Sequence, residues 1–124
     1  MIGYVTLGTN DLDRAAGFYD DVLAPLGATR NDDWQTDRFI GWQSVAGSPL
    51  LLVIKPHDGK PATAGNGTMI SLLARSRAEV DAVHGRALAR GAKDEGAVGL
   101  RGDTFYAGYF RDLDGNKLAA YFIG

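Results

Sequence analysis

Apolar positions along this chain follow two periods in succession, and the succession occurs twice. Residues 2–9 alternate side chains, with Val5 and Leu7 on one face, which predicts a strand. Asn10 or Asp11 then offers a short side-chain oxygen to the unpaired amides of a helix start. Leu12, Ala16, Tyr19 and Leu23 recur at spacings of four, three and four, so the helix is expected to run to about Pro25. Gly27, free to adopt positive φ, closes it.

The order returns downstream. Residues 68–74 predict a strand with Ile70 and Leu72 on one face, and Ser76-Arg77-Ala78-Glu79 has the form of a capping box. Val80, Val83 and Ala87 make the second stripe, ended by Gly91-Ala92 as Gly27-Ala28 ended the first. Shifting the chain by 65 positions places Tyr4 on Met69, Leu7 on Leu72 and Asp11 on Ser76. Strands are predicted at 38–45 and 50–54, joined by a hairpin-sized link, and at 104–111 and 117–123, joined through Asp114-Gly115-Asn116. Shorter strands are expected near 28–32 and 93–96. Asn31-Asp32-Asp33 suits a solvated loop.

The resulting order is β-α-β-β-β, twice. This is an α+β architecture of tandem modules, each helix covering the outer face of its own curled mixed sheet. Module 1 is expected at about 1–56, a Gly- and Pro-rich linker at about 57–66 and module 2 at about 67–124, all within one domain.

Composition narrows the function. With 124 residues, 45% hydrophobic and 23% charged, the chain is long enough for a real core. A formal net charge of −2, without a basic cluster, argues against a nucleic-acid partner. No run approaches the roughly 20 apolar residues of a membrane span, and the first residues lack a signal-peptide pattern. Cysteine is absent, which excludes disulfides and thiolate chemistry and suits a cytoplasmic location. Seventeen glycines suit tight turns in a curved sheet.

A strand followed by Asp11-Leu12-Asp13-Arg14-Ala15-Ala16-Gly17-Phe18-Tyr19 resembles the first module of the glyoxalase/bleomycin resistance/dioxygenase proteins, the vicinal oxygen chelate superfamily. Arg111-Asp112-Leu113-Asp114-Gly115-Asn116 resembles their aspartate-rich hairpin before the last strand. Gly65-Asn66-Gly67-Thr68, then Ser76-Arg77 and Val80-Asp81, is similar to one bacterial subgroup. The resemblance covers essentially the whole chain. It implies that the two sheets form a cup holding a divalent metal, with ligands on the first and last strand of each module. Carried over by position, those ligands fall at Tyr4, at Leu51 give or take one residue, at Met69 and at Ala119. None supplies an imidazole or carboxylate, so no metal and no cofactor is expected.

The chain has two histidines, and neither lies at such a position. His57 is expected on a loop surface and His84 at the edge of the second helix stripe, partly buried. The cup lining is expected to be mainly apolar. By strand parity Tyr4 and Thr6, Met69 and Ser71, and Ala119 and Tyr121 would line it, together with Leu51, Trp42, Tyr106 and Tyr109. Arg101, before the aromatic strand, is the candidate to meet an anionic group at the rim. The same residues would serve equally well as the filling of a collapsed cup.

Three functions compete. The first is binding or sequestration of a small organic molecule, as in resistance proteins of this superfamily. The resemblance then implies a homodimer, with Trp34 or Trp42 at a shared site. The second is a glyoxalase-type lyase or isomerase acting without metal or through a relocated site, with Tyr4, Tyr106 or His57 in acid–base roles. The third is an interaction module using sheet edges or exposed aromatics.

Overall fold

The computed structural model describes residues 1–124, and the chain divides into two compact units, residues 1–63 and 64–124. The first contains β1 (Tyr4–Gly8), α1 (Leu12–Val22), β2 (Thr29–Gln35), β3 (Phe39–Gln43) and β4 (Leu50–Ile54). The second contains β5 (Ile70–Leu73), α2 (Arg77–Ala89), β6 (Lys93–Arg101), β7 (Phe105–Arg111) and β8 (Lys117–Ile123). The expected order is therefore present in both units. The sheets have strand orders β1-β4-β3-β2 and β5-β8-β7-β6. Each is mixed, because its first strand pairs with its last in parallel and the other pairs are antiparallel. No helix is long and apolar enough to cross a membrane.

In the first unit Asp11 caps α1, its Oδ1 accepting from the Arg14 amide at 3.1 Å. The buried stripe is broader than the pattern implied: Leu12, Ala15, Ala16, Phe18, Tyr19 and Val22. The helix stops at Val22 rather than near Pro25, because a proline cannot donate to the preceding turn. A short 3-10 turn, Ala24–Leu26, follows and ends at Gly27, whose φ is 74°. α1 packs on β3 and β4, where burial of Phe18 and Val22 contributes about 1.5–3 kcal/mol each. The acidic run at 31–33 is not a loop but the bulged interior of β2, which is solvated because β2 is an edge strand. Residue 62, expected in the linker, is tied to the first unit. The Asn10 Oδ1 accepts from the Ala62 amide at 2.7 Å.

In the second unit Ser76 caps α2 by accepting from the Glu79 amide at 3.1 Å. The reciprocal bond of a capping box is displaced by one residue, since Glu79 Oε2 accepts from the Arg75 amide at 2.7 Å. Gly91, at φ 94°, closes the helix while the Ala92 amide reaches back to the Ala87 carbonyl at 3.0 Å. α2 packs on β6, β7 and β8 with Val80, Val83, His84 and Ala87 inward. β6 is more than twice the expected length, and it accommodates register shifts at Asp94/Gly96 and Gly96/Gly99. The turn before β8 is closed by Asp112, whose Oδ1 accepts from the amides of Asp114 and Asn116, both at 2.9 Å. That carboxylate is buried and consumed by the turn.

Gly108 on β7 lies beneath α2. A Cβ there would stand 2.8 Å from Val98 Cγ1 and 3.0 Å from the ring of the buried His84. Gly108→Ala is expected to cost about 1–3 kcal/mol through overpacking, read as a lower urea midpoint with an unchanged m-value.

Candidate functional site

Register and alternation divide each sheet into a helix-covered face and a free face. In the first unit Val5, Leu51 and Trp42 are aligned across β1, β4 and β3. Trp42 is 1% exposed, and its Nε1–H donates to Asp20 Oδ1 on α1 at 2.9 Å. Its ring lies 5.6 Å from that of Tyr19. Trp42 is therefore a core residue under the helix rather than a pocket wall, for its indole N–H finds its buried partner there. Leu51 shares that face and is likewise removed from the candidate lining. Asp20 also takes a bidentate bond from Arg30, at 2.9 and 2.7 Å.

The free face of this unit carries Tyr4 and Thr6, aligned with Leu50 and Leu52. Trp34 reaches it from the bulge in β2, its ring 5.2 Å from that of Tyr4. Gly41 makes room beneath, since a Cβ there would lie 3.1 Å from Trp34 Cβ and 3.3 Å from Leu50 Cδ2. Tyr4 is 53% exposed, whereas Leu50 and Leu52 are buried. The far end of this face is crossed by the segment after β4, for a Cβ on Gly8 would stand 3.0 Å from Ala62 Cβ. An open, polar depression of about 500 Å³ lies along the other edge, between residues 29–33 and 43–46, away from these aromatics.

In the second unit Tyr106 is paired with Phe122 and points to α2. Its hydroxyl donates to Asp81 Oδ1 at 2.6 Å, and Arg77 lies 5.3 Å from the ring centroid. The hydrogen bond to Asp81 raises the phenol's pKa above its ordinary value, so Tyr106 keeps its proton, and it lies on the covered face. His84 is 5% exposed under α2, with Nε2 placed 3.2 Å from both Asp94 Oδ1 and the Tyr109 carbonyl. It joins helix to sheet. His57 lies exposed in the segment after β4.

The free face of this sheet carries Ser71, Ala119 and Tyr109 in one row and Leu73, Tyr121 and Ala107 in the next. Met69 precedes β5 with the same parity as Ser71 and is 41% exposed. Phe105 stacks on Tyr121, with centroids 5.3 Å apart and planes within 15°. Arg101 ends β6 instead of lying in a loop, and its guanidinium folds back over the strand. Nη1 donates to the carbonyls of Gly99 and Ala107 at 2.8 and 3.0 Å, and Nη2 to that of Ala97 at 2.7 Å. Lys117 joins it beside Tyr109, the two cations standing 5.8 and 5.5 Å from the ring centroid. Lys117 was absent from the sequence-based set, although strand parity with Ala119 and Tyr121 would have found it. Leu50 and Leu52 fall within the one-residue margin given to Leu51, because the all-apolar run of β4 hides its own alternation.

The residues at the ligand-equivalent strand positions do not fit a metal. Tyr4 with Leu50 or Leu52, and Met69 or Ser71 with Ala119, offer hydroxyls, a thioether and alkyl groups, against the imidazole and carboxylate donors that zinc, iron or nickel needs. No three His, Cys, Asp or Glu side chains stand together anywhere in the chain in a group that would hold an ion.

This pair of β-α-β-β-β units, each with a helix on one sheet face, defines a protein class. The family model of the Glyoxalase/Bleomycin resistance protein/Dioxygenase superfamily matches residues 1–120, and the chain belongs to that superfamily. A glyoxalase/bleomycin resistance protein from Albidiferax ferrireducens T118 is 31% identical, with a TM-score of 0.91 over 100% of this chain and 99% of that one. A glyoxalase/bleomycin resistance protein/dioxygenase family enzyme from Burkholderia phytofirmans PsJN shares the fold at 18% identity, with a TM-score of 0.79 and 98% of each chain covered. A lactoylglutathione lyase from Agrobacterium tumefaciens does so at 24%, with a TM-score of 0.69 over 98% of this chain and 92% of that one. A search of curated proteins finds no match.

Three carboxylates of the second unit have pKa values below their ordinary range. Glu79 is held down by the Arg75 side chain and amide, Asp94 by the Gly96 amide and then His84, and Glu95 by the Arg111 guanidinium. A carboxyl whose folded pKa lies below its unfolded value gives its full stabilisation above the unfolded pKa. It loses that stabilisation as pH falls through the folded value. The melting temperature is therefore expected to hold near neutrality and fall below about pH 4. Asp94→Asn, which keeps an acceptor for Gly96 and His84, should lower the neutral-pH melting temperature and flatten part of the acid limb in a calorimetric pH series.

Proposed function

We propose that this protein binds or sequesters a small organic molecule, rather than performing metal-dependent chemistry, on the free faces of its sheets. The observation that carries this reading is the replacement of every ligand-equivalent position by Tyr4, Leu50 or Leu52, Met69 or Ser71, and Ala119. These faces keep aromatic and hydroxyl groups: exposed Tyr4 against half-buried Trp34 in one unit, half-buried Tyr109 and Tyr121 beside exposed Ser71 in the other. Such surfaces suit a partly hydrophobic ligand held by a few polar contacts. The two units act as one domain in this reading, in the cytoplasm and as a homodimer.

The alternative, a lyase or isomerase working without metal or through a relocated metal site, has less support. It needs titratable groups converging on a free face. Of its candidates Tyr4 alone lies on a free face, while Tyr106 is bonded to Asp81 beneath α2 and His57 lies in an exposed segment.

Metal analysis of protein purified without an affinity tag tests the proposal, with thermal shifts in zinc, nickel and manganese. Sub-stoichiometric metal and no specific shift are expected. Near-stoichiometric metal with selective stabilisation would overturn it and restore a metal-dependent glyoxalase-type enzyme.

A further inference from the structure

We infer that the free face of the second sheet holds a site for a small aromatic carboxylate, with Arg101 receiving the anion and Lys117 adding its positive charge nearby. The inference rests on the small-molecule reading above and adds to it the location and the charge of the ligand.

Arg101 is a fixed cation. Three of its five N–H donors are spent on the carbonyls of Ala97, Gly99 and Ala107, which hold the guanidinium flat against β6. The absence of a side chain at Gly96 makes the space. A Cβ there would stand 3.3 Å from Nη2 and 3.1 Å from the Tyr109 ring. Two donors, Nε–H and the second Nη2–H, remain, which is the number a carboxylate takes from an arginine. Carbonyls orient this charge without neutralising it, and no carboxylate pairs with it. The ordering of a long side chain, normally a cost of binding, is already met in the free protein.

Lys117 brings a second positive charge to the same ring. Lys93 and Arg111 are aligned on the neighbouring row, and Glu95, bonded to Arg111 at 2.9 Å, is the carboxylate among them. Four cations thus face one anion on a chain whose net charge is −2. An excess of one sign opposing the charge of the whole molecule marks a place for the opposite ion.

The remainder of the face specifies the ligand's body. Ala107 and Ala119, 0% and 1% exposed, are covered, so the half-buried rings of Tyr109 and Tyr121 present the surface here. Tyr109 stands on one side of the two alanines, with Tyr121 and its stacked partner Phe105 on the other. The hydroxyls of Ser71, Tyr109 and Tyr121 make no hydrogen bond within the protein and are available to the ligand. A flat ring against Tyr109 and Tyr121 places its carboxylate toward Arg101, within the field of Lys117.

The full-length protein is titrated at low ionic strength with 2-naphthoate and with neutral 2-naphthamide, followed by calorimetry and amide chemical shifts. The naphthoate should bind about tenfold more tightly than the amide and weaken as salt rises, shifting Tyr109, Ala119 and Tyr121. Lys117→Gln should cut naphthoate affinity several-fold and leave the naphthamide unchanged. Arg101→Gln should do the same, but because it also removes the bonds bracing β6, the lysine variant decides if it misfolds. Equal binding of the two compounds, indifference to Lys117→Gln, or shifts confined to residues 1–63 would overturn the anion site while leaving small-molecule binding in place. If neither compound binds, the site is overturned, and the metal and thermal-shift measurement decides the broader reading by itself.

Discussion

Parallel pairing of the first and last strand in each unit is the constraint on which the rest of the structure depends. A parallel pair cannot be closed by a tight turn, so the chain must leave the sheet, cross it and return. The amphipathic helix after β1, and again after β5, makes that crossing and covers one face. The pairing of Tyr4 with Leu50 and of Ser71 with Ala119 then fixes which side chains meet the helix and which do not. A slip of one residue would exchange the two sets entirely. Function is confined to whatever the register leaves on the uncovered side.

The covered faces hold polar groups as well as apolar ones, and each is paired. No buried side-chain nitrogen or oxygen lacks a hydrogen-bond partner. Trp42 meets Asp20, Tyr106 meets Asp81, and His84 meets Asp94 and the Tyr109 carbonyl. These bonds join helix to sheet with a defined register, which apolar contacts alone would leave looser. They also withdraw from chemistry several of the residues that a sequence would nominate for it. The uncovered face of the second sheet differs in kind. Its arginine is braced by carbonyls rather than matched by a carboxylate, so order and net charge coexist there.

Much of the fold was legible in the chain. The 65-residue shift, the helix stripes, the Asp11 and Ser76 caps and the Asp-Gly-Asn turn each reflect local physics, and local physics is written in local sequence. The errors lie where a neighbouring strand decides. β2 takes in Asn31-Asp32-Asp33 because an edge strand can point charges at water, and β6 runs to Arg101 because bulges at its glycines absorb the mismatch with β7. The candidate site was legible in part. Tyr4, Thr6, Ser71, Tyr109, Ala119 and Tyr121 share the free faces as parity implied, but Trp42, Leu51 and Tyr106 belong under the helices.

The sequence by itself determined the duplicated topology and the helix limits to within a few residues, because residue type and spacing suffice for each. Only the tertiary structure decided which face each strand residue serves, since that depends on a partner strand distant in the chain. It likewise brought Arg101 and Lys117 to one ring and left the arginine without a carboxylate, a consequence of register and bulges rather than of either residue's neighbours in sequence.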